Sequence, residues 1–205
     1  MINNPEGERI SLGVLSFSLD RPPDPMSLDS FLTVEREDGA DSAASPGFDF
    51  SRRLYRLFKV DPTRHRPSSE ALLRRISQGL PFPRVTAIVD TVNRLSLKHM
   101  VPYGLYNRDQ ITPPLVLRRG LAGEGYEGIR KGWLSMEGKI VLADEAGPFG
   151  NPSGDSIRSS VDEVSRRILG VIFFHPEDPR KDAVLSDSRN VILELFHIVV
   201  DTDLI

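Results

Sequence analysis

The sequence contains no cysteine, and this absence removes several kinds of chemistry at once. Without thiols the chain forms no disulfide, has no thiolate nucleophile and offers no cysteine ligand to a metal. It also lacks a long apolar run: the longest candidates, residues 12–19 and 168–174, have the length of strands, whereas a membrane-spanning helix needs about 20 apolar residues. The polar start, residues 1–9, is unlike a signal peptide. We therefore expect a soluble, cytoplasmic protein that does not enter a membrane.

Common signatures of hydrolases and metal enzymes are missing as well. The sequence has no Gly-x-Ser-x-Gly element and no His-x-x-x-His pair. Its four histidines stand apart in the chain, and none shares a ligand-spaced motif with another: His65, His99, His175 and His197. We expect neither a bound metal nor a cofactor.

Net charge is small, −3, but it is unevenly distributed. Residues 52–84 contain nine basic and two acidic side chains, so this window carries +7 and the rest of the chain −10. A basic segment on an acidic protein can steer a polyanion to one face. The alternative is a pair of amphipathic helices whose arginines are simply solvated. The charge pattern alone does not separate the two.

Hydrophobic periodicity predicts helices and strands in an order typical of an α+β fold. The predicted helices are residues 27–34, 49–60, 67–79, 84–100, 160–167 and 188–195. The predicted strands are residues 10–19, 115–118, 140–143, 168–174 and 198–200. Gly, Pro and small polar residues predict loops at 35–47, 102–109 and 146–155, and the last of these is expected to expose several backbone amides.

Two stretches resemble the B3/B4 domain of the phenylalanyl-tRNA synthetase beta subunit, the module that carries the editing site of that enzyme. The first, residues 61–111, contains Asp-Pro-Thr-Arg-His-Arg-Pro, Leu-Pro-Phe-Pro-Arg and Pro-Tyr-Gly-Leu-Tyr-Asn. The second, residues 138–174, begins Gly-Lys-Ile-Val-Leu-Ala-Asp. With the segment between them, the similarity covers about residues 50–195. It implies mixed, largely antiparallel sheets packed with helices.

The resemblance also implies a domain organisation. We expect residues 1–205 to form a single, free-standing B3/B4-like domain. Residues 1–48 would add an N-terminal strand and a flexible acidic loop to the core that resembles the family.

The implied activity is hydrolysis, in trans, of a tRNA that carries the wrong amino acid, with the aminoacylated 3′ end of the tRNA as partner. An aminoacyl ester is already activated. Its hydrolysis needs a positioned water, donors for the developing oxyanion and a pocket that selects the side chain. It requires neither a metal nor a covalent nucleophile, which agrees with the missing motifs.

The resemblance assigns candidate residues to three roles. The expected catalytic residues are Asp155, Ser156 and Arg158. The expected substrate-binding residues are Gly104, Tyr106, Asn107, Asp144, Gly150, Ser153 and Gly154. The expected tRNA-binding residues are Arg64, Arg66, Arg74 and Arg75. For Arg158 two interpretations stay open: it grips a phosphate or carboxylate, or it pairs at the surface with Asp155 or Asp162.

The chain departs from the bacterial synthetase pattern in two places. Residues 102–107 correspond to a loop that commonly reads Pro-Leu-His-Ala-Phe-Asp and whose histidine lines the editing pocket. Here Gly104 replaces that histidine and Asn107 replaces the aspartate. A later Met-Gly-Gly-Glu, whose acidic residue reads the misactivated side chain, is matched by residues 153–155, which end in the shorter Asp155.

These departures leave three hypotheses for function. The first is a trans-acting deacylase that works with different side chains. The second is a non-catalytic module that holds tRNA or an amino-acid-like ligand, which the missing histidine favours. The third is a hydrolase that acts on another ester or amide in the same pocket.

Overall fold

A computed structural model describes residues 2–20, 25–33 and 45–205 of the chain. Its helices are α1 (Pro25–Leu32), α2 (Pro46–Leu57), α3 (Ser68–Ser77), α4 (Ala87–His99) and α5 (Lys181–Phe196). Its strands are β1 (Ile2–Asn3), β2 (Ser11–Ser18), β3 (Tyr103–Asn107), β4 (Leu115–Arg119), β5 (Gly125–Gly128), β6 (Gly132–Ser135), β7 (Ile140–Asp144), β8 (Gly147–Gly150), β9 (Arg167–Phe174) and β10 (Val200–Leu204). None of the helices in these ranges has the length and apolar character that a bilayer crossing requires.

The strands form two four-stranded sheets and a separate hairpin. The first sheet has the order β10–β2–β9–β3 and is antiparallel throughout. The second has the order β1–β4–β7–β8, in which β1 runs parallel to β4 and the other pairs are antiparallel. Strands β5 and β6 pair as the hairpin, and Gly128 of β5 also forms an isolated bridge with Ser156. The predicted α+β class, with mixed and largely antiparallel sheets, is confirmed.

Strand β9 lies between the two halves of the core. The even-numbered side chains Ile168, Ile172 and Phe174 pack into one cluster with residues of α4 and α5. Leu169 and Phe173, on the opposite face, pack into a second cluster with residues of β4, β7 and β8. Because both faces of β9 are covered, the strand reads as a nearly continuous apolar run rather than as an alternating one. Each fully buried side chain of this size contributes about 1.5–3 kcal/mol.

The starts of two helices follow from their first residues. Helix α2 begins after Ser45, whose hydroxyl accepts a hydrogen bond from the Gly47 amide at 3.2 Å, and Pro46 fills the first helical position. Helix α4 begins after Thr86, whose hydroxyl accepts from the Val89 amide at 3.4 Å. These caps satisfy amides that have no partner within the helix.

Two predicted segments have a different structure. Residues 102–109 were expected to form a loop, but they contain the edge strand β3, in which Tyr103 pairs with Ile172 and Asn107 with Ile168. All five residues of β3 are buried, so no alternation of polar and apolar residues marks it as a strand. The loop predicted at residues 146–155 likewise contains strand β8.

The helix predicted at residues 160–167 does not form. The carboxylate of Asp162 instead accepts hydrogen bonds from the amide and the hydroxyl of Ser165 at 2.9 and 2.6 Å. Side chains of this kind offer the backbone a local alternative to helical hydrogen bonds. The last helix begins earlier than predicted, and the final strand lies at Val200–Leu204. Most of the loop predicted at 35–47 lies outside the described residues.

Helices α2 and α3 are joined by an ion pair with one buried partner. Arg52 donates from Nε and Nη2 to the two carboxylate oxygens of Glu70 at 2.8 and 3.0 Å, and the Glu70 side chain is 4% exposed. Arg53, the next residue, pairs with the exposed Glu177 on the surface. Both are pairs of an arginine with a glutamate, but the glutamate is buried in the first pair and exposed in the second.

We predict that Glu70→Gln lowers the free energy of unfolding by about 1.5–3 kcal/mol, because a charge-assisted pair of hydrogen bonds is lost and a guanidinium is left poorly paired. The matched variant Glu177→Gln should cost less than about 1 kcal/mol, because its carboxylate is exposed. Urea denaturation measures both. Equal losses in the two variants would contradict the prediction.

Candidate functional site

The two stretches that resemble the family meet at the hydroxyl of Tyr106. Tyr106 lies in β3 and is fully buried, and its hydroxyl donates a hydrogen bond to Asp155 Oδ1 at 2.8 Å. Its ring meets that of Phe149 edge-on, with the centroids 4.9 Å apart. The structure therefore brings Asp155 into contact with the segment that contains Gly104.

Two glycines make room for this hydroxyl. A Cβ atom on Gly104 would lie 2.0 Å from Tyr106 Oη, and one on Gly150 would lie 2.2 Å from it. No side chain fits at either position while the tyrosine is in place. The hydroxyl of Tyr106 thus occupies the space in which a side chain at position 104 would stand.

Asp155 is an unusual carboxyl group because of where it is held. Burial raises its pKa to about 7. The hydrogen bond from Tyr106 and those from the backbone amides of Leu105 and Asn151 work in the opposite direction. The carboxyl is therefore partly protonated near neutral pH, and it is fixed from three sides.

Arg158 and Asp144 form a bidentate ion pair. Arg158 Nη1 and Nη2 each lie 2.9 Å from a carboxylate oxygen of Asp144, which also accepts from the amides of Thr112 at 2.9 Å and Ala146 at 3.0 Å. Burial opposes ionisation of Asp144, but these hydrogen bonds lower its pKa below the usual value. Of the interpretations left open for Arg158, pairing with Asp155 or Asp162 is wrong, since its partner is Asp144.

In the turn at residues 151–154, two backbone amides donate hydrogen bonds within the turn itself. Asn151 Oδ1 accepts from the Ser153 amide at 2.9 Å, and the Asn151 carbonyl accepts from the Gly154 amide at 3.0 Å. The expectation of exposed amides is therefore wrong for these two residues. Ser156, an expected catalytic residue, is 1% exposed and lies 3.0 Å, Oγ to Oγ, from the buried Ser159.

A cavity of about 420 Å³ lies beside this turn. Its large aliphatic and aromatic lining comes from α2 and the segment after it, from β6 and the residue that follows it, and from β7: Leu54, Phe58, Val60, Leu134, Met136 and Ile140. Among the described residues, its charged lining is basic, with a histidine and the Tyr55 phenol beside it: Arg64, His65, Arg66, Arg74, Lys131 and Lys139. Arg64 also lies 3.9 Å from Asp61 in an exposed, weak pair. The cavity combines an apolar floor with a cationic rim.

Three side chains from other parts of the chain hold the turn against the cavity. The Tyr55 hydroxyl lies 2.8 Å from Ser153 Oγ, Lys131 Nζ donates to the Ser153 carbonyl at 2.7 Å, and the Tyr126 hydroxyl donates to the Gly154 carbonyl at 2.7 Å. Burial raises the pKa of both tyrosines, which remain neutral phenols. These three residues were not among the sequence candidates. The buried stripe of α2 contains Tyr55, but nothing local marks Lys131 or Tyr126.

The expected site residues therefore fall into two groups. Ser153 and Gly154 line the cavity, as do three of the four expected tRNA-binding arginines, Arg64, Arg66 and Arg74. The fourth, Arg75, donates from Nε to the Pro81 carbonyl at 2.6 Å and is not part of the lining.

The remaining candidates lie outside the cavity lining. These are Gly104, Tyr106, Asn107, Asp144, Gly150, Asp155, Ser156 and Arg158. Asn107 caps the short turn that follows β3, because its Oδ1 accepts from the Asp109 amide at 3.0 Å. Among the described residues, no group of three or more histidine or acidic side chains is arranged to hold a metal ion.

We predict that Asp155→Asn removes a pH dependence of stability. Because the folded pKa of about 7 lies above that of an unfolded aspartate, the wild-type chain binds a proton on folding between about pH 4 and 7. The stability that Asp155 contributes is thus fully present below about pH 4 and is lost as the pH rises to 7, by at most about 1.4 kcal/mol per pH unit. Denaturation of both proteins across this range measures the difference, and parallel curves would contradict the assignment.

A solved structure shares the fold of this chain. An N-terminal fragment of the phenylalanyl-tRNA synthetase beta subunit from Pyrococcus horikoshii has a similar fold, with a TM-score of 0.51 at 12% sequence identity. The similarity covers 97% of this chain and 49% of that fragment, so the chain spans about half of its length. None of the curated proteins matches the chain.

The sequence pattern that defines the B3/4 domain matches residues 51–201. The match includes the second half of α2, all of α3 and the turn beside the cavity, and it covers most of the chain. The resemblance inferred from residues 61–111 and 138–174 is confirmed, and the chain belongs to the B3/4 domain family.

Proposed function

We propose that this chain binds the aminoacylated 3′ end of a tRNA in the basic-rimmed cavity. The observation that carries the proposal is the combination of an apolar floor with a rim whose charged side chains are cationic. Membership of a family that includes a domain of phenylalanyl-tRNA synthetase supports a tRNA-related role in general.

The chemistry of such a ligand fits both parts of the cavity. The end of a tRNA is a single strand of phosphates that terminates in a base, a ribose and an amino acid. The phosphates can pair with the guanidinium groups of Arg64, Arg66 and Arg74. This pairing releases the counterions that the phosphates hold in solution. The floor around Leu54 and Phe58 would receive the apolar part of the terminal group.

We predict that Arg64→Gln with Arg66→Gln weakens the binding of aminoacylated tRNA and flattens its salt dependence. For a single strand, each lost phosphate contact should reduce the slope of log K against log salt by about 0.7. Fluorescence anisotropy with labelled bulk tRNA, aminoacylated or deacylated, measures both quantities. The aminoacylated form should bind more tightly, because only it places an amino acid on the apolar floor.

A matched control removes two arginines elsewhere. Arg166 immediately precedes β9 and Arg167 is its first residue, and neither lines the cavity. Arg166→Gln with Arg167→Gln should leave affinity nearly unchanged. Equal binding of charged and uncharged tRNA, together with equal effects of the two double variants, would refute the proposal.

Hydrolysis of a mischarged ester is a second candidate, favoured by Lys131 and Ser153 at the cavity wall. In this reaction water attacks the ester carbonyl carbon and the bond to the ribose oxygen breaks. The ribose oxygen takes up a proton and the amino acid leaves as a carboxylate. The Lys131 ammonium would stabilise the oxyanion of the tetrahedral intermediate. Asp155 and Arg158, which already have partners, would position the turn and the strands behind it.

Incubation with a panel of mischarged tRNAs tests this second candidate. If the chain is a deacylase, at least one ester should be hydrolysed, and Lys131→Met should slow that reaction by about 100-fold. Lys98→Met is the control, because the Lys98 ammonium pairs with Asp187 away from the cavity. Binding without hydrolysis of any ester would leave the chain as a binding module.

A further inference from the structure

Most carbonyl groups of the turn beside the cavity already accept hydrogen bonds. The Ser153 carbonyl accepts from Lys131 Nζ at 2.7 Å, and the Gly154 carbonyl accepts from the Tyr126 hydroxyl at 2.7 Å. The Asn151 carbonyl accepts from the Gly154 amide at 3.0 Å, and Asn151 Oδ1 accepts from the Ser153 amide at 2.9 Å. The acceptors of this wall are therefore largely engaged by the protein itself.

Donors remain on the same wall. The Lys131 ammonium carries three hydrogens and gives one of them to the Ser153 carbonyl. It lies close over the turn, because a Cβ atom on Gly154 would be 2.9 Å from Lys131 Nζ. The hydroxyls of Tyr55 and Ser153 share one hydrogen bond of 2.8 Å, so one hydroxyl hydrogen of the pair is left to donate. All four residues line the cavity, and a ligand group that accepts hydrogen bonds suits them.

The charge of the lining acts in the same direction as its hydrogen-bonding capacity. Four further basic side chains surround the cavity with Lys131: Arg64, Arg66, Arg74 and Lys139. Among the residues that the structure describes, no carboxylate belongs to this lining. A cation brought into such a cavity meets like charges, whereas a neutral acceptor or an anion does not.

These two properties bear on the amine of an aminoacyl group. An α-amino group keeps its proton until about pH 8, so near neutral pH it is an ammonium with three donors and no acceptor. Acylation of the nitrogen removes the charge and adds a carbonyl oxygen, which can accept from Lys131 or from the Tyr55–Ser153 pair. The wall therefore fits the acylated nitrogen better than the free amine.

We propose that the cavity selects aminoacyl groups whose α-amine is acylated and discriminates against the free α-ammonium. The ligand class is an N-acylaminoacyl ester with an apolar side chain, which the floor around Leu54 and Phe58 receives. The cavity, of about 420 Å³, falls in the range of about 300–1,000 Å³ that holds drug-sized ligands. That the ester belongs to a tRNA end rests on the proposed function above, whereas the preference for an acylated amine is separately measurable.

Three non-hydrolysable analogues test the preference by isothermal titration. Each is an adenosine joined through a 3′-amide to a phenylalanyl, an N-acetylphenylalanyl or a phenyllactyl group. The phenyllactyl group has a hydroxyl in place of the ammonium, so it removes the charge without adding bulk. At about pH 6, where the amine is protonated, the N-acetyl and phenyllactyl analogues should each bind at least about 10-fold more tightly than the phenylalanyl analogue.

The pH dependence separates charge from added apolar contact. At about pH 9 the amine is neutral, so the phenylalanyl and phenyllactyl analogues should bind with nearly equal affinity. Equal affinities of all three analogues at about pH 6 would overturn the proposal. Tight binding of the phenyllactyl analogue with weak binding of the N-acetyl analogue would also overturn it, since the wall would then have no room for the acyl group.

A charge reversal on the wall provides the second test. Lys131→Glu places a carboxylate beside the turn and should reduce the preference for the N-acetyl analogue by at least about 10-fold. Arg130→Glu is the matched control, because it makes the same change in net charge at the neighbouring exposed residue, which is outside the lining. It should keep the wild-type order of affinities. An unchanged preference in Lys131→Glu, with thermal unfolding like that of the wild type, would contradict the proposal. If Lys131→Glu does not fold, the analogue series on the wild-type chain decides alone.

The outcomes also separate this proposal from the proposed function. If aminoacylated tRNA binds through Arg64 and Arg66 but the three analogues bind equally, the preference is wrong and the tRNA assignment stands. If tRNA does not bind but the analogues follow the predicted order, the preference stands and the cavity takes an N-acylated ligand that is not attached to tRNA. If neither tRNA nor any analogue binds, both are wrong.

Discussion

Strand β9 is buried on both faces, and the other parts of the fold are arranged around that constraint. Its two neighbours, β2 and β3, complete the sheet. One face then requires helices α4 and α5, and the other requires the second sheet. The turn at residues 151–154 follows from this stacking, because β8 reaches the edge of the second sheet directly over Tyr106 of the first. The wall of the cavity is therefore placed by packing that is remote from the cavity itself.

The arginines of the chain differ in whether they pair with buried carboxylates or face solvent. Arg52 and Arg158 are each held by two hydrogen bonds to a buried carboxylate, so their charges are used to join elements. Arg66, Arg74 and the other cations of the cavity face solvent. The basic window found in the sequence thus serves two purposes: some of its arginines brace the fold, and others face the cavity that we propose as a polyanion site.

Most helices and the central strand were predictable because their signals are local. The apolar spacing in α2 to α4 and the run in β9 depend only on neighbours in sequence. Strand β3 was not predicted because it is buried along its whole length. The ion pair of Arg158 was not predicted because only the tertiary structure brings Asp144 next to it. In the candidate site, Ser153, Gly154 and three arginines were found through family resemblance. Tyr55 reaches the same turn from α2, whereas Tyr126 and Lys131 reach it from β5 and the hairpin turn that follows, which no spacing within one segment could indicate.

The hydroxyl of Tyr106, seated between Gly104 and Gly150, limits how this chain could interconvert with the synthetase pattern that it resembles. In the bacterial pattern, histidine at position 104 is combined with phenylalanine at position 106. Here glycine at position 104 is combined with tyrosine at position 106, and the tyrosine hydroxyl occupies the volume that the side chain at position 104 would need. Changing position 104 first forces two groups into the same volume, and changing position 106 first leaves a void and removes one of the three hydrogen bonds to Asp155. The two positions are therefore epistatic. An evolutionary path between the two forms must either change both together or pass through a poorly packed intermediate sequence.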